Sequence, residues 1–294
     1  MYYRRKILLA LLRQFGGKLD KISLQKLLFL FVRQQDKKSF YFVPYRFGCY
    51  SFQANADLKT LTKYNQTEET ENDWILVDEK DYCQELNTKD TAALRNIKVE
   101  FGDYDSRKLI ELTYKNFPFF AINSTIADKF LSKDELLKVE SQRIRKTETI
   151  LFTIGYEGIT LEQYINKLIV NDIKVLCDVR KNPMSMKFGF SKSQLKNACQ
   201  GVGIEYKHIS TVGIENDRRQ ELNTQADYDK LFVFYKESIL PTRTMEQQEL
   251  LDLLIDKKRI ALTCFEANVR QCHRKHLADS ISVMKGFNYE IKHI

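Results

Sequence analysis

From residue 150 onward the chain alternates short, β-branched apolar runs with windows of helical periodicity, and no other feature narrows the fold as much. The runs are Ile150–Ile154, Ile173–Asp178, Ile204–Ile209, Arg259–Cys264 and Tyr289–Ile294; the windows are 160–171, 191–200, 226–238, 245–257 and 273–285. Parallel strands need a crossover between them, usually a helix, and strands covered on both faces lose the in-out alternation of a half-wet sheet. The pattern therefore predicts an α/β domain, a Rossmann-like parallel sheet with flanking helices. In open sheets of this kind ligands sit outside the carboxyl ends of the strands, so the residues that follow each run are the ones to inspect.

Those residues are rich in reactive groups. Gly155-Tyr156-Glu157-Gly158 follows the first run, and Asp178-Val179-Arg180 with Asn182-Pro183-Met184-Ser185 the second. His208, Ser210 and Gly213 follow the third, and Cys264-Phe265-Glu266 with Cys272-His273-Arg274 the fourth. A parallel sheet brings these carboxylates, guanidinium groups and imidazoles to one edge. In this order the blocks Thr153-Ile-Gly155-Tyr-Glu157-Gly158, Cys177-Asp178-Val-Arg180-x-x-Pro183-x-Ser185, Gly203-Ile204-x-Tyr206-x-His208 and Cys264-Phe-Glu266 with Cys272-His273-Arg274-x-x-Leu277-Ala278 resemble the domain of unknown function 488 family. The resemblance covers about residues 150–285; it implies a three-layer, Rossmann-like α/β fold and a bacterial or archaeal setting, and it brings no reaction with it. The sequence departs from that family where a Leu-Gly-Gly segment is usual, having Val212-Gly213-Ile214 instead.

Residue types suggest the chemistry. Asp178 two positions before Arg180 reads as a carboxylate held ionised by a guanidinium that is itself available to a phosphate or carboxylate; an ion pair that only fixes the loop is the structural alternative. Glu157 and Glu266 are candidate general bases, or stabilisers of an oxocarbenium ion in glycosidic-bond cleavage. His273 and Arg274 open a helix, where the dipole and basic side chains favour an anion. The catalytic candidates are thus Asp178, Glu157, Glu266 and His273, and the substrate or anion binders Gly155, Tyr156, Arg180, Ser185, His208 and Arg274. Cys264-x5-Arg270 has the spacing of a phosphatase cradle, but its loop holds no Gly and Glu266 would repel a phosphate. Adjacent Cys272 and His273 are poorly placed to face one tetrahedral centre, and no C-x2-C pair is present, so no metal is expected. Gly155-x-x-Gly158 is too short for a dinucleotide fingerprint, and no cofactor is expected.

A chain of 294 residues exceeds what one core usually fills, and two domains are drawn here as 1–146 and 147–294. In the first, Ile7, Leu8, Leu11 and Leu12 keep helical spacing, Gly16-Gly17 interrupts, and Leu24, Leu27, Leu28 and Phe31 resume it behind Ser23, a candidate N-cap. Phe40–Tyr50 reads as β structure broken by Pro44 and Gly48, which gives a mainly helical module with a winged-helix-like outline. Residues 55–145 read as a helical connector whose Ser132-x-x-Glu135 capping box predicts a helix over 133–146. Residues 1–46 carry 11 basic and 2 acidic side chains, a local +9, whereas residues 66–111 carry 6 basic and 13 acidic, a local −7. In a winged helix the second helix enters a major groove while Lys21, Lys26, Arg33 and Arg46 touch phosphates, so nucleic acid, DNA first, is the expected partner.

No apolar run approaches the 18 or so residues that cross a bilayer. Six dilute cysteines, several inside apolar runs, read as reduced core thiols, and the basic N-terminus lacks a cleavage signal. A cytoplasmic protein without membrane contact is expected. Its function reads as hydrolysis of a glycosidic or phosphate ester bond in nucleic acid or nucleotide, with the N-terminal module docking the polymer. The alternative is a non-enzymatic DNA-binding regulator whose C-terminal cleft senses a nucleotide-like small molecule.

Overall fold

The computed structural model describes residues 1–215, 217 and 222–294, and the chain divides into two units, Met1–Arg143 and Ile144–Ile294. In the first unit α1 (Tyr3–Gln14), β1 (Lys18–Asp20) and α2 (Lys21–Arg33) lead to a hairpin of β2 (Val43–Tyr45) and β3 (Gly48–Tyr50). There follow α3 (Phe52–Lys63), β4 (Thr67–Glu69), β5 (Asp73–Leu76), α4 (Thr88–Phe101), α5 (Ser106–Asn116) and α6 (Lys133–Ser141). β1, β5 and β4 form an antiparallel sheet in that order. The apolar positions of α1 and α2 form its core, with every residue from Ile7 to Leu12 and from Ser23 to Val32 buried.

Several local expectations change here. The N-cap of α2 is Asp20, whose carboxylate accepts from the Ile22 and Ser23 backbone N–H groups; its extended backbone at the end of β1 leaves the side chain facing the helix start, while Ser23 is already inside the first turn. Residues 55–145 are mostly helical, as expected, but not helical throughout. They contain β4 and β5, and β5 carries the buried Trp74 opposite Leu19 of β1. The period of these strands is hidden in the sequence because the exposed positions of β4, Glu68 and Glu69, are acidic and adjacent. The capping box at Ser132 and Glu135 is present, but α6 stops at Ser141, after which the Arg143 guanidinium donates to the Ile122 carbonyl.

The basic excess of the first 46 residues folds against the acidic stretch that follows. Arg4 and Arg5 pair with Asp57, Lys6 with Glu85, Lys18 with Asp73 and Lys21 with Glu69. Over residues 1–143 the sequence holds 24 basic and 20 acidic side chains, net +4. Lys26 is only 1% exposed, and its ammonium donates to the Phe47 carbonyl 2.5 Å away. Burial lowers its pKa. Lys26 therefore cannot reach a phosphate, and α2, buried along ten successive residues, is not a helix that enters a groove.

The second unit is the expected α/β domain. β6 (Ile150–Gly155), α7 (Leu161–Val170), β7 (Val175–Asp178), α8 (Lys192–Gln200), β8 (Glu205–His208), α9 (Gln225–Phe234), α10 (Thr244–Lys257), β9 (Arg259–Cys264), α11 (His273–Ser282) and β10 (Glu290–His293) follow one another. The five strands lie in the order β10-β6-β9-β7-β8 and every neighbouring pair is parallel. β6, β7 and β9 are buried along their whole length, as strands covered by helices on both faces must be.

Gly155 ends β6 opposite Cys264 of β9. A Cβ at this position would lie 1.9 Å from the Glu266 carbonyl oxygen, and that carbonyl also accepts from Arg274, so it has little room to withdraw. Gly155→Ala is expected to destabilise the protein by roughly 3 kcal/mol, read as a lower urea midpoint for the second unit at unchanged slope.

Candidate functional site

The carboxyl end of β7 carries a sealed ion pair. Asp178 is 0% exposed and Arg180 4%. The Arg180 Nε–H donates to one Asp178 oxygen at 2.8 Å and an Nη2–H to the other at 2.5 Å, the two-point fork that guanidinium and carboxylate planes allow. Nη1 donates to the Tyr156 hydroxyl at 2.7 Å and to the Phe190 carbonyl at 2.9 Å. Asp178 also accepts from the Tyr206 hydroxyl at 2.6 Å. Burial, reinforced by the adjacent Asp178 charge, raises the Tyr206 pKa, so the phenol keeps its proton as donor.

Beside this pair a cleft of about 630 Å³ opens, within the usual range for small-molecule sites. Tyr156, Tyr228 and Phe265 give it aromatic walls; Arg180, Lys181 and Lys187 give it cations; Asn182 and Ser185 give it neutral polar groups. Glu266 is the carboxylate among its described lining residues. Tyr156 is held flat against Phe190, ring centroids 4.2 Å apart and planes 9° apart, and edge-on to Phe265. The Lys187 ammonium donates to the Tyr156 carbonyl at 2.6 Å, and partial burial lowers its pKa. Lys181 is tied to Glu215 at 2.6 Å. Its backbone passes so close to Gly213 that a Cβ there would sit 2.3 Å from the Lys181 nitrogen, which explains the one glycine kept in the Val212-Gly213-Ile214 segment.

Of the ten candidates from the sequence, the structure brings Tyr156, Arg180, Ser185 and Glu266 to the cleft. The others brace it. Asp178 lies behind Arg180 with its oxygens occupied, a position from which it cannot take a proton from substrate. Glu157 accepts from the Ala267 backbone N–H at 3.0 Å and ties one loop to the next. His208 contacts the Arg180 carbonyl through Nε2 at 2.9 Å. Arg274 is 2% exposed and donates to the Glu266 and Ala267 carbonyls, so it holds a loop rather than an anion. Gly155 is the crossing point described above. His273, 1% exposed, places Nε2 3.0 Å from the Val179 carbonyl. Lys181, Lys187, Tyr228 and Phe265 line the cleft without having been picked out, although Lys181 and Lys187 flank the Asn182–Ser185 turn that the sequence had marked.

Contrary to the expectation from their adjacency, Cys272 and His273 turn toward a common point. Cys272 has extended backbone, φ −133° and ψ 134°, and His273 begins α11. The change from strand-like to helical geometry breaks the alternation that would separate two successive side chains. Cys264, Cys272 and His273 consequently offer ligand atoms within 4.8 Å of one another.

In the first unit Lys21, Lys26 and Arg46 line a second groove of about 630 Å³ with Tyr45, Phe47, Tyr50 and Trp74. Arg46 is its accessible cation, since Lys21 is paired and Lys26 is buried. Arg33 is exposed and stacks over Phe117, 4.2 Å from the ring centroid.

A parallel α/β domain with a ligand-sized cleft at the carboxyl ends of β6, β7 and β9 is the class that this fold and site define. Residues 160–281, within the second unit, match the family model described as Domain of unknown function DUF488. No curated protein matches the chain significantly.

The bonding around Arg180 fixes what its replacement does. Lys keeps the charge but not the planar fork, and Asp178→Asn leaves a buried guanidinium without its counter-charge. Each substitution is expected to cost about 3–5 kcal/mol, the range for breaking a buried pair, measured as a fall in melting temperature of the purified chain.

Proposed function

We propose that the second unit captures a nucleotide-like ligand, aromatic at one end and anionic at the other, and that the protein acts as a ligand-sensing regulator docked on nucleic acid by its first unit. The observation that carries this reading is the lining of the cleft: aromatic walls, three cations and small polar groups gathered at the carboxyl ends of parallel strands. An aromatic base can pack between Tyr156, Phe265 and Tyr228, and a phosphate can meet Lys181 and Lys187. Glu266 supports a second reading, hydrolysis, because it is a carboxylate in the cleft placed to act as a general base. The paired carboxylates of a glycosidase are not assembled among the described lining residues, which favours capture over cleavage.

For the first unit, the groove beside Arg46 supports nucleic-acid docking in a reduced form. Its exposed cation and the half-exposed Phe47 suit one phosphate and one stacked base. It does not rest on the paired lysines.

Two measurements test the reading. The full chain, incubated with a panel of nucleotides and followed by calorimetry and mass spectrometry, should bind at least one nucleotide and return it unchanged; Lys187→Ala should weaken that binding about tenfold or more. Turnover that disappears in Glu266→Gln would establish the hydrolytic reading in its place. For docking, Arg46→Ala should weaken oligonucleotide binding and reduce the salt slope by about 1, while Phe47→Ala weakens it at constant slope.

A further inference from the structure

The junction of β9 and α11 holds a set of soft donors that the ligand cleft does not account for. Cys264 ends β9, Cys272 and His273 open α11, and all three are buried. The Cys264 Sγ lies 3.6 Å from His273 Nδ1 and 3.3 Å from a Glu266 carboxylate oxygen. Zinc bonds of about 2.3 Å to sulfur and about 2.0 Å to nitrogen or oxygen, opened at tetrahedral angles, place donors roughly 3.5–3.8 Å apart. The two measured separations are close to edges of that tetrahedron. The Cys272 thiol, within 4.8 Å of the other two donors, supplies the remaining vertex after a shift of about 1 Å.

The imidazole is oriented for the same task. A carbonyl can only accept, so the contact of Nε2 with the Val179 carbonyl at 3.0 Å fixes the proton on Nε2 and leaves the lone pair on Nδ1, facing Cys264. A ligating histidine commonly donates its other N–H to a backbone carbonyl in this way. Charge also balances. A dication and the Arg274 guanidinium offset two thiolates and the Glu266 carboxylate, and both Arg274 and Glu266 lie within electrostatic reach of Cys272.

We propose that Cys264, Cys272 and His273 form the buried core of a site for a thiophilic divalent cation of zinc's class, with Glu266, whose carboxylate meets the Cys264 thiol, turning in from the cleft as the fourth donor; the metal fastens β9 to α11 and fixes the loop that carries Phe265 and Glu266. Each thiol gives up its proton to solvent as the metal enters, and no redox change occurs. The three buried donors do not depend on what the neighbouring cleft does with its ligand, but a Glu266 held on the metal could not also act as a general base, so the fourth donor rests on the capture reading.

The test uses the full-length chain, reduced and stripped with a chelator, with cobalt(II) as the spectroscopic probe. Titration should develop thiolate-to-cobalt charge transfer and the intense visible bands of tetrahedral cobalt, saturating at one equivalent, and zinc should bleach them while raising the melting temperature. Cys272→Ser should lose the charge-transfer intensity and weaken binding on the order of 100-fold, with Glu266→Gln weakening it about tenfold. Cys199→Ser, a buried thiol elsewhere in the unit, should bind as the parent does. Circular dichroism confirms that each variant is folded. A folded chain that gives no cobalt bands, bands that persist in Cys272→Ser, or a mass lower by two hydrogens from a Cys264–Cys272 disulfide formed in place of metal binding would each overturn the proposal.

Discussion

The second unit is organised around one interaction, the ion pair between Asp178 and Arg180. Taking two charges out of water is costly, and their attraction offsets that cost only when the geometry is good and the remaining donors and acceptors are satisfied. Here they are satisfied from four directions. Tyr156 comes from the end of β6, Tyr206 from β8, the Phe190 carbonyl from the segment before α8, and the Arg180 N–H closes back onto Asp178. His208 then fixes the Arg180 carbonyl. An apolar substitute could fill the same volume, but it could not hold the ends of three strands at fixed mutual positions through directional bonds. The pair thus sets where the loops begin, and the loops set the shape of the cleft.

That arrangement separates roles that adjacent sequence positions seem to share. Asp178 and Arg180 are two residues apart, yet Asp178 is fully buried behind the pair while Arg180 is among the residues that line the cleft. Glu266 and Glu157 both follow strands; one lines the cleft and the other holds the Ala267 backbone. The lining is therefore weighted toward cations and aromatic rings, which matches an anionic ligand better than a reaction needing two carboxylates. Close backbone crossings at Gly155 and Gly213 permit this compactness, since a side chain at either position would push the Glu266 or Lys181 segment outward.

The sheet was legible in the sequence because its three central strands, β6, β7 and β9, are buried on both faces, so their apolar runs stand out against the helical windows between them. The strands fall within about two residues of the expected runs. The site was legible only as a neighbourhood: the topology rule names the strand ends, but not which side chains turn inward. Lys26 shows why. At the level of the helical period it is a polar residue among leucines; the hairpin of β2 and β3 folds over it and supplies the Phe47 carbonyl, a long-range event that no local pattern contains. The same applies to Cys272 and His273, where the change of backbone geometry at a single peptide brings together two side chains that a uniform strand would hold apart.

Charge carries a related lesson for the first unit. A run of basic residues produces a positive field only if its complement is elsewhere, and here the complement arrives 48 to 79 residues later and folds onto the same unit. Lys18 meets Asp73 across β1 and β5, Lys21 meets Glu69 beyond them, and Lys6 meets Glu85. The antiparallel sheet itself enforces the first of these, because the Asp20–Asp73 register brings the start of α2 alongside the acidic turn between β4 and β5. The positive field of the first 46 residues consequently comes from the cations that this pairing leaves exposed, Arg33, Lys37, Lys38 and Arg46 among them, and not from the run as a whole.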